Sequence, residues 1–86
     1  MADRQARDPD TEQWVRLYVG QQLSFSETAV SLAHKLAVPV PPARRVLAAL
    51  AEAGELSRRS FGWRIEPIYY KDRAQRERAG AAYRAA

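Results

Sequence analysis

Pro41-Pro42-Ala43-Arg44-Arg45-Val46-Leu47-Ala48-Ala49-Leu50-Ala51-Glu52-Ala53-Gly54-Glu55-Leu56 is the stretch whose reading decides the fold. Ala43, Val46, Leu47 and Leu50 recur at i, i+3, i+4 and i+7, so a helix carries all four on one face. Pro42 suits a first helical position, where a backbone N–H has no intrahelical partner anyway. Gly54 stands where the chain must turn left-handed to leave a helix, and Leu56 then returns to the core. The spacing predicts a helix over 42–53. Its opposite, water-facing side carries Arg44, Arg45, Ala48 and Glu52.

Upstream, Ser26 reads as the N-cap of a second helix, with Glu27 favourably placed in its first turn. Ala29, Leu32, Ala33 and Leu36 form its buried stripe, leaving Thr28, Ser31 and Lys35 outside. Proline disfavours the helical region for the residue before it, so Val38-Pro39-Val40-Pro41-Pro42 is expected to be a stiff, extended linker. Two short helices joined by a tight turn make a helix-turn-helix. Further upstream, Asp10 or Thr11 caps a first helix bearing Trp14, Val15, Leu17, Tyr18 and Val19. That apolar arc is wide, which implies cover on more than one side. Gly20 either ends this helix early or admits a close neighbour. Leu23-Ser24-Phe25 reads as a minimal strand, and residues 1–10 as a frayed polar leader.

Downstream, Leu56-Ser57-Arg58-Arg59 reads as a strand, Ser60-Phe61-Gly62 as a turn, and Trp63-Arg64-Ile65-Glu66 as the returning strand. Trp63 and Ile65 alternate with Arg64 and Glu66, so the first pair is expected to pack inward. Pro67 confines that strand to a sheet edge or ends it. The core is expected to join Leu47, Leu50 and Leu56 to Leu32, Leu36 and Ile65, with Ile68, Tyr69 and Tyr70 closing it from outside. Residues 71–86 form a basic helix or tail with a weak apolar stripe at Ala74, Ala81 and Tyr83, serving association more than the core. The fold class is therefore mostly α with a small antiparallel β-hairpin: one domain over 11–70 with a C-terminal helical extension.

Eighty-six residues suit a single small domain. Such a chain buries only about 60–65% of its unfolded surface, so its core is small. At 47% hydrophobic and 28% charged residues, its composition is that of a folded domain. The absence of cysteine excludes disulfides, a thiol nucleophile and a zinc finger, and fits a cytoplasmic protein. No apolar run approaches a membrane span, and the N-terminus is too polar for a secretory signal. His34 is the single histidine and has no partner in sight for a ligand or base role. With no phosphate-cradling glycine loop and no paired carboxylates, neither an enzyme nor a metal or cofactor site is expected.

The net charge of +4 is unevenly placed. Residues 1–43 hold four basic against five acidic side chains, residues 44–70 five against three, and residues 71–86 five against two. A basic second half suits a polyanionic partner.

Helix, short strand, helix, turn, helix and hairpin is the order of a winged helix-turn-helix. The chain resembles the small bacterial winged-helix DNA-binding domains of transcription regulators. The likeness rests on Ser26 through Leu32-Ala33, Leu36 and Val38, then Arg44-Arg45, Leu47, Leu50, Gly54 and Leu56, then Arg58-Arg59 and Gly62, and it spans about residues 11–70. It implies that 42–53 is a recognition helix presenting Arg44, Arg45 and Ala48 to the major groove of double-stranded DNA. Arg58, Arg59 and Arg64 would meet phosphates or the minor groove, and Ser26 would stand near a phosphate at the second helix's N-terminus. The chain departs from the pattern at Ala37, where glycine is usual, and at Pro41 and Pro42, which remove N–H donors. The expected function is transcription regulation at the nucleoid by a homodimer, paired through Trp14 and Tyr18 or through Tyr83. No small-molecule ligand is evident. The alternative is a winged-helix module that binds protein without DNA.

Overall fold

The computed structural model describes residues 2–63 and 65–85, with side chains over 9–63 and 65–81. Four helices and three short strands follow in the order α1 (Ala2–Gln21), β1 (Ser26–Glu27), α2 (Ala29–Leu36), α3 (Val40–Glu52), β2 (Ser57–Arg59), β3 (Ile68–Tyr70) and α4 (Arg73–Ala85). The protein is mostly helical with a small antiparallel sheet.

The apolar stripe of α3 is buried as its spacing predicts: Ala43, Val46, Leu47 and Leu50 all face inward. It packs against both α1 and α2. Ala29, Leu32 and Ala33 are buried on α2, and Leu36 is packed partly against the same core. Among the described side chains of α1, Val15 and Val19 are the buried ones, whereas Trp14 and Leu17 stay about half exposed. The expected cover does not reach Trp14 and Leu17, although α4, like α3, meets α1.

Two turns frame α3. Ala37 ends α2 in the left-handed conformation at φ 56°, and its N–H reaches back to the Ala33 and His34 carbonyls. The α2–α3 connection is only Ala37–Pro39, shorter than the extended linker expected through Pro42. The helix starts at Val40, not residue 42, and takes Pro41 and Pro42 into its first turn. Helix-initial N–H groups have no intrahelical partner, so prolines there forfeit no bond. At the other end Gly54 adopts φ 81°. The Glu55 N–H donates to the Leu50 carbonyl at 2.9 Å and the Gly54 N–H to that of Ala51 at 3.1 Å. That is a Schellman closure, and it turns Leu56 into the core.

The sheet differs more from expectation. Its order is β1-β3-β2, with Ser26 opposite Tyr70 on one side and Arg58 opposite Tyr69 on the other. The return strand is Ile68–Tyr70, not Trp63–Glu66, so Pro67 precedes the strand. Tyr69 fills the core position expected of Ile65, which is exposed. Trp63 is 87% exposed, in a loop that turns at Gly62 (φ 133°). Alternation alone cannot distinguish a Trp-x-Ile strand from a long loop, and Ile68-Tyr69-Tyr70, a continuous run of β-formers, takes the return position instead. The first strand is likewise Ser26–Glu27, not Leu23–Phe25.

Helix α1 runs from Ala2 through Pro9 and on past Gly20 to Gln21, so residues 2–10 are helical and not a frayed leader. A Cβ added at Gly20 would have no atom within 4 Å, so no close neighbour explains this glycine. Nor does residue 71 begin a tail that stands off the fold: Lys71 and Gln75 are 6% and 8% exposed. Ala74 and Ala81, the expected apolar stripe of α4, face water. Among the described residues no helix is long and apolar enough to cross a membrane.

Leu50→Ala removes a buried side chain at the meeting of α1 and α3 and should cost about 2–5 kcal/mol. Ala37→Gly should do the opposite, stabilising by about 0.5–1 kcal/mol, because glycine holds the left-handed conformation without a Cβ clash. Thermal melting of both variants checks the pair. A lower midpoint for Ala37→Gly would mean that the α2–α3 turn is not strained.

Candidate functional site

The exposed side of α3 carries the first two candidate arginines, and each is held by a carboxylate. Arg44 Nη2 lies 3.0 Å from Glu66 Oε1, beyond the hairpin loop. Arg45 Nε donates to Glu12 Oε2 of α1 at 2.8 Å. Adjacent residues on a helix diverge by about 100°, which is why one arginine leans to the hairpin and its neighbour to α1. Both pairs are about half exposed, and exposed pairs contribute only about 0–1 kcal/mol. They orient the guanidinium groups without locking them. Ala48 is half-buried beside them and offers a methyl group only.

On the hairpin, Arg58 and Arg59 are exposed and have no hydrogen-bond or ion-pair partner among the described residues. Side chains alternate across a strand. Arg58, opposite Tyr69, shares that residue's face of the sheet, while Arg59, opposite Ile68, lies on the other. The two therefore do not form one patch, as their adjacency in sequence implied. Arg64 lies outside the described residues, as does the side chain of Tyr83.

Ser26 is not a helix cap. It lies in β1 paired with Tyr70, because the sheet claims it before α2 begins. Thr28 is the cap instead: its Oγ1 accepts from the Ser31 N–H at 3.0 Å, and its own N–H donates to Ser31 Oγ at 2.9 Å. Ser31 Oγ also donates to Glu27 Oε1 at 2.7 Å, and Lys35 pairs with the same carboxylate. Burial pushes Glu27 up, but the bonds from Lys35 and Ser31 outweigh it and hold the carboxyl below its ordinary value. The same contact with Glu27 raises Lys35. The first N–H groups of α2 that a phosphate would use are thus partly taken.

A polar cluster that sequence reasoning missed fastens α4. Asp72 Oδ1 accepts from the Gln75 N–H at 2.9 Å, while Gln75 Oε1 accepts from the Asp72 N–H at 2.8 Å. This is a reciprocal capping box, legible in the sequence as Asp-x-x-Gln. Ser57 Oγ bonds to Asp72 Oδ2 and Gln75 Oε1, and Gln75 Nε2 and Arg78 Nη2 both donate to the Gly54 carbonyl. Lys71 sends its ammonium to the Val19 carbonyl at 2.8 Å and also to that of Gln22. It closes the C-terminus of α1, where no basic residue of that helix stands in the last turn. Burial pushes the Lys71 ammonium below its ordinary range, and the charge of Glu55 partly opposes this. No local sequence signal marks a lysine that caps a helix about fifty residues away.

Among the described residues no group of three or more histidine, aspartate or glutamate side chains is placed to hold a metal ion. Compared with known protein families, with curated proteins and with solved structures, the chain matches none.

The Gln75 N–H and then the Ser57 hydroxyl hold the Asp72 carboxyl below its ordinary value. A carboxyl whose folded pKa is depressed stabilises the fold above its unfolded value, about 3.9, and loses that contribution as pH falls through the lower folded value. Melting midpoints should therefore drop on acidification below about pH 4. Glu27 acts in the same direction, so the comparison with Asp72→Asn isolates Asp72: the variant should start lower at neutral pH and fall less steeply. Parallel pH profiles for the two proteins would remove Asp72 from the account.

Proposed function

We propose that the chain is a winged helix-turn-helix domain that binds duplex DNA through α3 and the β2–β3 hairpin, as a small transcription regulator. The observation that carries this reading is the Arg44–Glu66 pair, which joins the exposed side of α3 to the return end of the hairpin loop. Helix and hairpin therefore offer one continuous surface. The element order, with β1 added to the hairpin as a third strand, supports the same reading.

In this arrangement α3 reads the major groove. Pro41 and Pro42 leave its first turn without their N–H donors, so contact falls to side chains, and Arg44 and Arg45 supply it. Each exchanges a weakly held carboxylate for a phosphate or a guanine edge. Arg58, with Arg64, meets the backbone, while Arg59 lies on the opposite face of the sheet. A single helix reads few base pairs, so a homodimer would supply a second half-site. The half-exposed Trp14 and Leu17 on α1, beside Tyr18, are the surface for that pairing.

A second reading, a protein-binding module, is favoured by one feature: Phe61, Trp63 and Ile65 are all exposed on the hairpin loop. Apolar side chains gathered at an exposed tip are what a protein interface presents.

Salt separates the two. Selection from random duplex DNA, followed by anisotropy titration at two salt concentrations, should give affinity that falls steeply as salt rises. Arg45→Ala should cost about 1–3 kcal/mol on the selected site and relax preference at one base position. Arg58→Ala should weaken all sequences nearly alike and lower the salt slope by about one. Absence of duplex binding at low salt would overturn the DNA reading and leave the protein-binding one.

A further inference from the structure

The outer face of the sheet, opposite buried Tyr69, is not used by α3. The register places Ser26 beside Tyr70 and Arg59 beside Ile68 on that face. With Ser24, Phe61 and Arg76 they line a cavity of about 380 Å³, within the roughly 300–1,000 Å³ range of small-ligand sites. No carboxylate lines it. Besides Lys71, its polar side chains are two guanidinium groups and three hydroxyls, which can all donate, and its apolar surface includes the Tyr70 and Phe61 rings.

The charges are available. Arg59 has no partner among the described residues. Arg76 uses one nitrogen, Nη1, to donate to the Lys71 carbonyl at 3.0 Å, which fixes the guanidinium at the groove and leaves its other donors. The hydroxyls of Ser24, Ser26 and Tyr70 make no hydrogen bond among the described residues. The Lys71 ammonium, though nearby, is committed to the end of α1. Two guanidinium groups match the charge of a phosphate monoester and bind it by charge-assisted forks. Aromatic side chains beside them offer a stacking surface to any base.

We infer that this groove is a second binding site, for a nucleotide unit: a phosphate between Arg59 and Arg76, joined to a planar base that lies on Tyr70 and Phe61. A free nucleoside monophosphate and one residue of a single strand present the same chemistry. The site does not depend on the duplex reading, since Ser24, Tyr70 and Arg76 stand outside the surface formed by α3 and the hairpin tip.

Calorimetric titration of the full chain tests it, with adenosine monophosphate, adenosine, inorganic phosphate and a ten-residue single-stranded oligonucleotide as probes. Adenosine monophosphate should bind at least about tenfold more tightly than adenosine or phosphate alone, because each supplies only one half of the contact. Arg59→Ala, which breaks no hydrogen bond or ion pair among the described residues, should weaken binding about tenfold or more. Phe61→Ala should weaken it about fivefold or more through lost stacking. Arg76→Lys retains charge but loses the fork, and should be intermediate. Arg44→Ala should leave all of these affinities unchanged while lowering duplex affinity, so failure of one site is distinguishable from failure of the other. If the oligonucleotide binds more than about tenfold tighter than the monophosphate, the source is a single strand; if it binds no tighter, the source is the free nucleotide. No binding by either probe, or binding indifferent to both Arg59→Ala and Phe61→Ala, would overturn the assignment.

Discussion

Val46 and Leu47 are sealed from water because α3 is wedged between α1 and α2, and the remaining elements are arranged around that wedge. Its one apolar stripe meets Val15 and Val19 from one helix and the stripe of Leu32 from the other. A helix buried along one side only leaves its opposite side in water, so the basic surface of α3 follows from the same packing that holds the fold. The two turns that bound it, at Ala37 and Gly54, both need left-handed backbone. Glycine supplies it at no steric cost in the second, and alanine carries a strain in the first.

What could be read beforehand was what has a period. The stripes of α2 and α3 and the glycine exit at Gly54 were legible because 3.6-residue spacing has few alternative explanations over that length. The sheet was less legible. Trp63-Arg64-Ile65-Glu66 alternates while Ile68-Tyr69-Tyr70 is a continuous run of β-formers, and only tertiary packing chose Tyr69 over Ile65 for the core. The start of α3 was missed by two residues because prolines that usually stop a helix are harmless within its first turn. The seating of α4 was missed for another reason. Its contacts are polar, made through Asp72, Gln75 and Arg78, and a search for an apolar stripe passes over such an element.

Of the candidate site, the residue types were legible and their grouping was not. Arg44 and Arg45, neighbours in sequence, lean to opposite sides of α3 and are paired with Glu66 and Glu12. Arg58 and Arg59 lie on opposite faces of the sheet. Counting charges along the chain therefore overstates the density of any one patch. The acidic partners also change the electrostatics of association. A polyanion docking there would have to displace carboxylates as well as counterions, which favours ligands that offer each guanidinium two oxygens.

Lys71 links parts of the chain that are otherwise far apart in sequence. Its backbone N–H donates to the Phe25 carbonyl, its ammonium closes α1, and its carbonyl receives Arg76. One residue thus ties the first helix, the segment leading into the first strand and the last helix together, across a separation of 52 residues to Val19. The end of α1 and the start of α4 consequently cannot open independently, since releasing either exposes the same buried ammonium or strips its acceptors. In a domain with so small a core, that shared group couples the end of α1 to the start of α4 as one cooperative unit.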